Sequence, residues 1–137
     1  MKFLKKGLML LLLTIIFNVA SGLLGLITDN SLIEVLFSAS FILAWFFYGW
    51  HIKLGLVNGV LVGIIGSIGG IFFSFIYMSG RFGMLPPTLA LWGYPFFYLI
   101  KFNSLYFAKL IFYSSVIVSV LAVAIGSEVG RVRSIKN

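Results

Sequence analysis

Residues 81–104 read RFGMLPPTLALWGYPFFYLIKFNS. The run is apolar enough to cross a bilayer, which takes about 20 such residues, yet two adjacent prolines stand near its start. Whether it crosses decides on which side of the membrane the chain ends. Pro86 and Pro87 each remove a backbone donor and push Leu85 and Pro86 away from helical geometry. Pro95 breaks the pattern again. Trp92 and Tyr94 carry rings that favour the headgroup level, and here they fall in the middle of the would-be span. This chemistry predicts an interfacial or re-entrant segment over 82–100, with a fifth transmembrane helix as the alternative.

Outward from that segment the chain is a series of long apolar runs. They predict transmembrane helices at about 7–27, 32–50, 54–78 and 105–127. The runs are continuous rather than alternating, which excludes barrel strands, and helices satisfy their own backbone groups in lipid. The fold class expected is therefore an all-α integral membrane protein, a single domain of four transmembrane helices over residues 1–137. The N-terminal run is too long for the apolar part of a signal peptide, so it reads as a retained first helix.

Composition agrees. The 137 residues are 61% hydrophobic and 9% charged, where a soluble domain carries about a quarter charged residues. The formal charge of +7 would suggest nucleic acid in a soluble chain. Here the basic residues flank apolar runs, which is the orientation signal of membrane proteins.

With four spans and a cytoplasmic N-terminus, Lys2, Lys5, Lys6, Lys53, Arg131, Arg133 and Lys136 lie inside, against Arg81, Lys101 and Lys109 outside. A fifth span would move Lys101 and Lys109 inside and Arg131, Arg133 and Lys136 outside. Four spans give the stronger positive-inside bias, so both termini are expected in the cytoplasm of a bacterial-type cell membrane.

Glycine marks the expected packing surface. At 100° per residue, Gly55, Gly59, Gly63, Gly66, Gly70 and Ser74 fall within one arc of about 100°. Such a groove lets another helix approach closely, and the last span offers a partner stripe in Ser115, Ser119, Ala122 and Gly126.

Asn18 lies near the centre of the first span, where an unbonded amide is costly. It is expected to face Ser67 or Ser119. Asn58 sits beside the glycine arc, placed to meet a headgroup or cap a helix end. Glu34 and Lys109 share a depth near the outer boundary, where each snorkels or the two pair. Trp45 and Trp50, in an aromatic cluster that closes the second span, read as interfacial.

Catalytic chemistry finds no support. Three carboxylates, one histidine and no cysteine leave no metal cluster to propose, and no nucleophile or phosphate-cradling motif is present. No cofactor is expected. An ionisable residue at mid-span, the usual mark of ion-coupled transport, is also missing from the pattern.

The function expected is non-enzymatic, through helix–helix or lipid contacts, as in an accessory subunit. One alternative is a small transporter or channel component acting as an oligomer. A further one is a binder of lipid or another hydrophobic ligand, using the segment around Trp92, Tyr94 and Pro95. The partners implied are membrane lipid, another membrane protein or a second copy, and no nucleic acid.

Overall fold

A computed structural model of the chain describes residues 2–27, 30–69 and 105–136. Within them the fold is helical throughout: α1 is Lys2–Ile27, α2 is Ser31–Ile52, α3 is Leu56–Gly66 and α4 is Leu105–Lys136. The segment 82–100 lies outside the described residues, as do Gly70, Trp92 and Tyr94.

The helix ends follow from local chemistry. Asn30 caps α2, its side-chain oxygen accepting from the Leu32 N–H at 3.0 Å, which satisfies one of the donors a helix start leaves open. At the other end Lys53 adopts the left-handed conformation (φ 50°, ψ 37°) and its N–H donates to the Gly49 carbonyl at 3.3 Å. Gly55 follows at φ 84°, a conformation that glycine takes at little steric cost. Two positive-φ residues within three positions turn the chain from α2 into α3. Regular helix in α3 ends at Gly66, where the Ser67 hydroxyl bonds back to the Gly63 carbonyl at 2.9 Å. Such back-bonding competes with the helical ladder and bends it, so the run expected as unbroken from 54 is interrupted at Ser67.

The last helix is longer than its apolar part. It continues through Gly130, Arg131 and Arg133 to Lys136, a stretch that reads from sequence as a basic tail.

Four helix ends meet at one end of the bundle. The Lys6 ammonium donates to the Ile52 carbonyl at 3.2 Å, and the Tyr48 hydroxyl donates to the Lys6 carbonyl at 2.7 Å, joining the start of α1 to the end of α2. A Cβ at Gly126 would fall on the Phe46 carbonyl oxygen, and one at Gly130 on the Trp50 carbonyl oxygen. Positions 46 and 50 thus match 126 and 130 in order, so α2 and α4 run parallel. Gly59 faces Ala124 and Ser127 while Gly63 faces Val120 and Val123, so α3 runs antiparallel to α4. Both chain termini therefore point to the same end.

The contact between α2 and α4 is the most extensive, and that between α1 and α2 is far slighter. A Cβ at Gly49 would meet the Val123 carbonyl oxygen, so backbone touches backbone along this seam. Glycine at each crossing removes the side chain that would hold the helices apart.

The α3 glycines divide between two neighbours. A Cβ at Gly59 would stand 2.8 Å from the Ala124 Cα, and one at Gly63 2.8 Å from Val123 Cγ1, whereas one at Gly66 would meet Leu10 Cδ2 of α1 at 2.7 Å. The stripe that Gly59 and Gly63 meet on α4 is Val120, Val123, Ala124 and Ser127; of the expected stripe of Ser115, Ser119, Ala122 and Gly126, the Ser115 side chain lies outside the described residues. Gly126 faces α2 instead, where a Cβ would meet the Phe46 carbonyl and the Trp50 backbone nitrogen.

The core comprises Leu10, Phe41, Trp45, Ile52, Val62 and Val123. Trp45, expected at an interface, is 1% exposed. It shares a helical face with Phe41, Gly49 and Ile52, and that face packs inward; its ring meets Phe41 at 5.8 Å between centroids. Two stretches, Phe3–Ser21 in α1 and Val35–Ile52 in α2, are long and apolar enough to cross a membrane.

Substitution at Gly63 should reveal the contact with α4. Gly63→Leu places a branched side chain against Val120 and Val123, and overpacking of this kind costs about 1–3 kcal/mol. Ile64→Leu, on the exposed side of the same turn, conserves volume and should cost less than about 1.5 kcal/mol. Thermal melts of both variants in mild detergent check this; equal melting temperatures would place no helix against Gly63.

Candidate functional site: the basic end of the bundle

The α2–α3 turn is clamped by α4. The Leu54 N–H donates to Ser127 Oγ at 2.9 Å, and the Leu56 N–H donates to Glu128 Oε2, also at 2.9 Å. Gly55 stands at the N-cap position of α3 and has no side chain to offer. The carboxylate of Glu128 supplies the cap from another helix, and negative charge at a helix start is favoured by the helix dipole. Gly55 also makes room for Arg131: a Cβ there would lie 3.1 Å from Arg131 Cδ and Nε.

Arg131 completes the clamp. Its Nη2 donates to Glu128 Oε1 at 2.5 Å and its Nε to Oε2 at 3.2 Å, the two-pronged geometry that makes arginine–carboxylate pairs specific. The hydrogen bonds from Arg131 hold the Glu128 carboxyl below the ordinary glutamate value of 4.5, with the Leu56 N–H adding to the effect and partial desolvation opposing it. The same pairing raises the Arg131 guanidinium.

Around this clamp the end of the bundle is basic. Lys5, His51, Lys53, Arg131 and Arg133 are exposed and Lys6 is half-buried. Glu128 is the only carboxylate at that end among the described residues. Arg133 lies over the Trp50 ring, 5.5 Å from its centroid. Trp50 is half-buried here, at the end of α2. An open hollow lined by Leu54, Gly55, Asn58, Glu128 and Arg131 flanks the turn. A smaller one is lined by Trp50, Lys53, Gly130, Arg133 and Ser134. This arrangement can hold an anion.

A second polar feature runs through the interior. Thr14, Asn18, Ser21, Ser38, Ser67, Ser119 and Ser127 are all buried. Asn18 was expected to reach Ser67 or Ser119, but its amide donates to the Thr14 carbonyl of its own helix at 2.8 Å. The Thr14 hydroxyl does likewise to Leu10 at 2.8 Å. A carbonyl one turn back is always within reach, and that local bond wins. Asn18 Oδ1, Ser21 Oγ and Trp45 Nε1 have no hydrogen-bond partner among the described residues, each a cost of about 1–3 kcal/mol when buried.

Asn58 behaves as Asn18 does, donating to the Leu54 carbonyl at 3.1 Å. The side chains of Glu34, Lys109 and Ser115, and with them the expected outer ion pair, lie outside the described residues. The α2–α4 seam and the Glu128 cap were not anticipated. The seam was readable: Ala122, Gly126 and Gly130 repeat every four residues, the spacing of a small-residue helix contact. The cap was not, because Glu128 and Leu56 are joined only by the fold.

No family model, curated protein or solved structure matches the chain.

The Glu128 clamp carries a pH signature. A carboxyl lowered on folding stabilises above its unfolded value, and that contribution is lost as pH falls through the folded one. Glu128→Ala should therefore melt below the wild type at pH 7. The gap should narrow as pH drops through and below about 4.5, where both states bind the proton. A gap that stays constant between pH 7 and pH 3 would mean the carboxylate does not hold the turn.

Proposed function

We propose that the chain is an integral membrane protein, a bundle of four membrane-crossing helices that acts without catalysis through contacts with lipid and with other membrane helices. The observation that carries this reading is an inverted distribution of side chains. Polar Thr14, Ser21, Ser38 and Ser127 are 2% exposed or less, while Met9, Leu12, Leu36, Val57, Ile117 and many other large apolar residues are half exposed or more. In water such a surface would be far larger than the apolar patches soluble monomers carry. In hydrocarbon it costs nothing, and the interior is then free to use small and polar residues for close packing.

Helix lengths support the same reading. α2 has 22 residues, about 33 Å at 1.5 Å per residue, against a hydrocarbon core of about 30 Å. The meeting of both termini at the basic end favours an even number of crossings, four rather than five. The concentration of Lys and Arg there favours the cytoplasmic side.

With the carboxylate of the basic end committed to a cap, the role we favour is structural: an accessory subunit that presents helix faces and a basic surface. A second reading, a small transport component, draws on the unpartnered Asn18 Oδ1 and Ser21 Oγ inside the bundle. Polar groups in a membrane interior often line a route.

Two single cysteines test the reading, since the native chain has none. Asn30→Cys should react with an impermeant thiol reagent in intact cells. Ser134→Cys should react only after permeabilisation, and the protein should stay in the membrane through alkaline carbonate extraction. Reaction of both in intact cells would give an odd number of crossings, and release by carbonate would remove the membrane reading altogether.

A further inference from the structure

We propose that the hollow between the ends of α2 and α4, lined by Trp50, Lys53, Gly130, Arg133 and Ser134, holds the phosphate of an anionic phospholipid headgroup. The inference rests on the membrane reading above and names the ligand of its basic end.

Charge is the first ground. Arg131 is committed to Glu128, whereas Lys53 and Arg133 are exposed and carry no carboxylate partner among the described residues. Both line this one hollow, of about 180 Å³. Gly130 forms its floor, because a Cβ there would collide with the Trp50 backbone. The ends of α2 and α4 therefore stay close enough for the two cations to face a single anion.

Preorganisation is the second. The guanidinium of Arg133 rests over the Trp50 ring, a cation–π contact that holds the group there while its N–H fork can face two oxygens of a phosphate. The Ser134 hydroxyl donates to the Arg131 carbonyl at 2.8 Å, so the donors toward phosphate are Lys53 Nζ and the Arg133 fork.

Lys53 supplies the third. It is the only residue other than glycine at positive φ among those described, in a helix-ending position where glycine or asparagine is the usual occupant. A lysine there costs backbone strain. Nothing in the turn requires its side chain, since only its backbone N–H is used, in the bond to Gly49. The side chain is thus free to act in the hollow it lines.

The lipid, rather than free phosphate, follows from what adjoins the hollow. A second depression shares Trp50 and Lys53 and adds Phe47 and His51. Phe47 stacks on Trp50 at 5.9 Å and 17° and is 54% exposed, and Leu43 and Leu36 continue the apolar face along α2 at 53% and 60%. A molecule with its phosphate at Lys53 and Arg133 can lay its acyl chain along Leu36, Leu43 and Phe47.

Native mass spectrometry of the full chain in dodecyl maltoside, offered equal amounts of phosphatidylglycerol and phosphatidylcholine, tests the site. The wild type should retain phosphatidylglycerol preferentially. Arg133→Gln and Lys53→Gly should each weaken that retention about fivefold, the usual worth of one basic residue at an anionic surface. Lys53→Gly is the sharper variant. Glycine takes the left-handed conformation without strain, so its melting temperature should be no lower than the wild type's while its lipid preference falls.

Equal retention of the two lipids, or unchanged preference in Lys53→Gly and Arg133→Gln, would overturn the proposal. So would displacement of phosphatidylglycerol by inorganic phosphate but not by chloride of equal ionic strength, which would assign the hollow to the free anion. The assay runs in micelles and needs no insertion, so its failure is separate from a failure of the membrane reading, which carbonate extraction detects.

Discussion

Gly49, Gly126 and Gly130 let the backbones of α2 and α4 touch with no side chain between them, and the rest of the bundle is arranged around that contact. A Cβ at any of the three would fall on a carbonyl oxygen of the facing helix, so the approach is closed to every other residue type unless the helices part. Because the two helices run parallel, the chain must leave the end of α2 and return to the far end before α4 can begin. α3 makes the outward leg, antiparallel to α4, on a second face of the same helix. Thus α4 is packed on two sides, through Gly126 and Gly130 toward α2 and through Val120, Val123 and Ala124 toward α3. The turn at residues 53–55 sits where these faces meet, which is why Ser127 and Glu128 can bond its N–H groups. One carboxylate then caps α3, anchors Arg131 and leaves Lys53 and Arg133 uncommitted beside Trp50.

Much of this architecture is written in local pattern, and the parts that are not share a cause. Long apolar runs locate α1 and α2, and the Asn30 cap and the two positive-φ residues mark ends that composition alone suggests. The glycine spacing of α3 shows up because one helix carries it in a single arc. The α2–α4 seam is divided between distant segments. Gly49 is hidden in an aromatic cluster, and Gly130 lies in a stretch whose charges read as tail. Helix there persists because Gly130 is buried against Trp50 and Arg131 is tied to Glu128, contacts made only in three dimensions. Trp45 is a related case: tryptophan at the end of an apolar run is a good sign of an interface, but the helical period puts it on the face with Phe41 and Ile52. Asn18 finds its acceptor in its own helix, at the Thr14 carbonyl. Residues 82–100 lie outside the described residues; what bears on whether they cross is that the start of α1 and the end of α4 share one end.

Proposed residence in the membrane gives these features a common logic. Where the surroundings are apolar, burying Leu or Ile brings no hydrophobic gain, and stability comes from close contact and satisfied polar groups. That explains why glycine, serine and threonine share the interior with the apolar core, beneath a surface rich in leucine and isoleucine. It also explains why charge gathers where the helices end. Among the described residues the basic end combines charge with exposure, so a partner that recognises charge can meet the protein there.

The central claim is that α2 and α4 meet backbone to backbone, and a double-mutant cycle between Gly49→Ala and Gly126→Ala measures it most directly. Each methyl alone must push the helices apart. Once one has done so the other finds space already made, so the pair should cost less than the sum of the singles, with a coupling of about 0.5–3 kcal/mol as for other residues in contact. Melting or denaturant titration in mild detergent supplies all four stabilities. A coupling of that size supports the shared seam; strict additivity, with each substitution indifferent to the other, would contradict it.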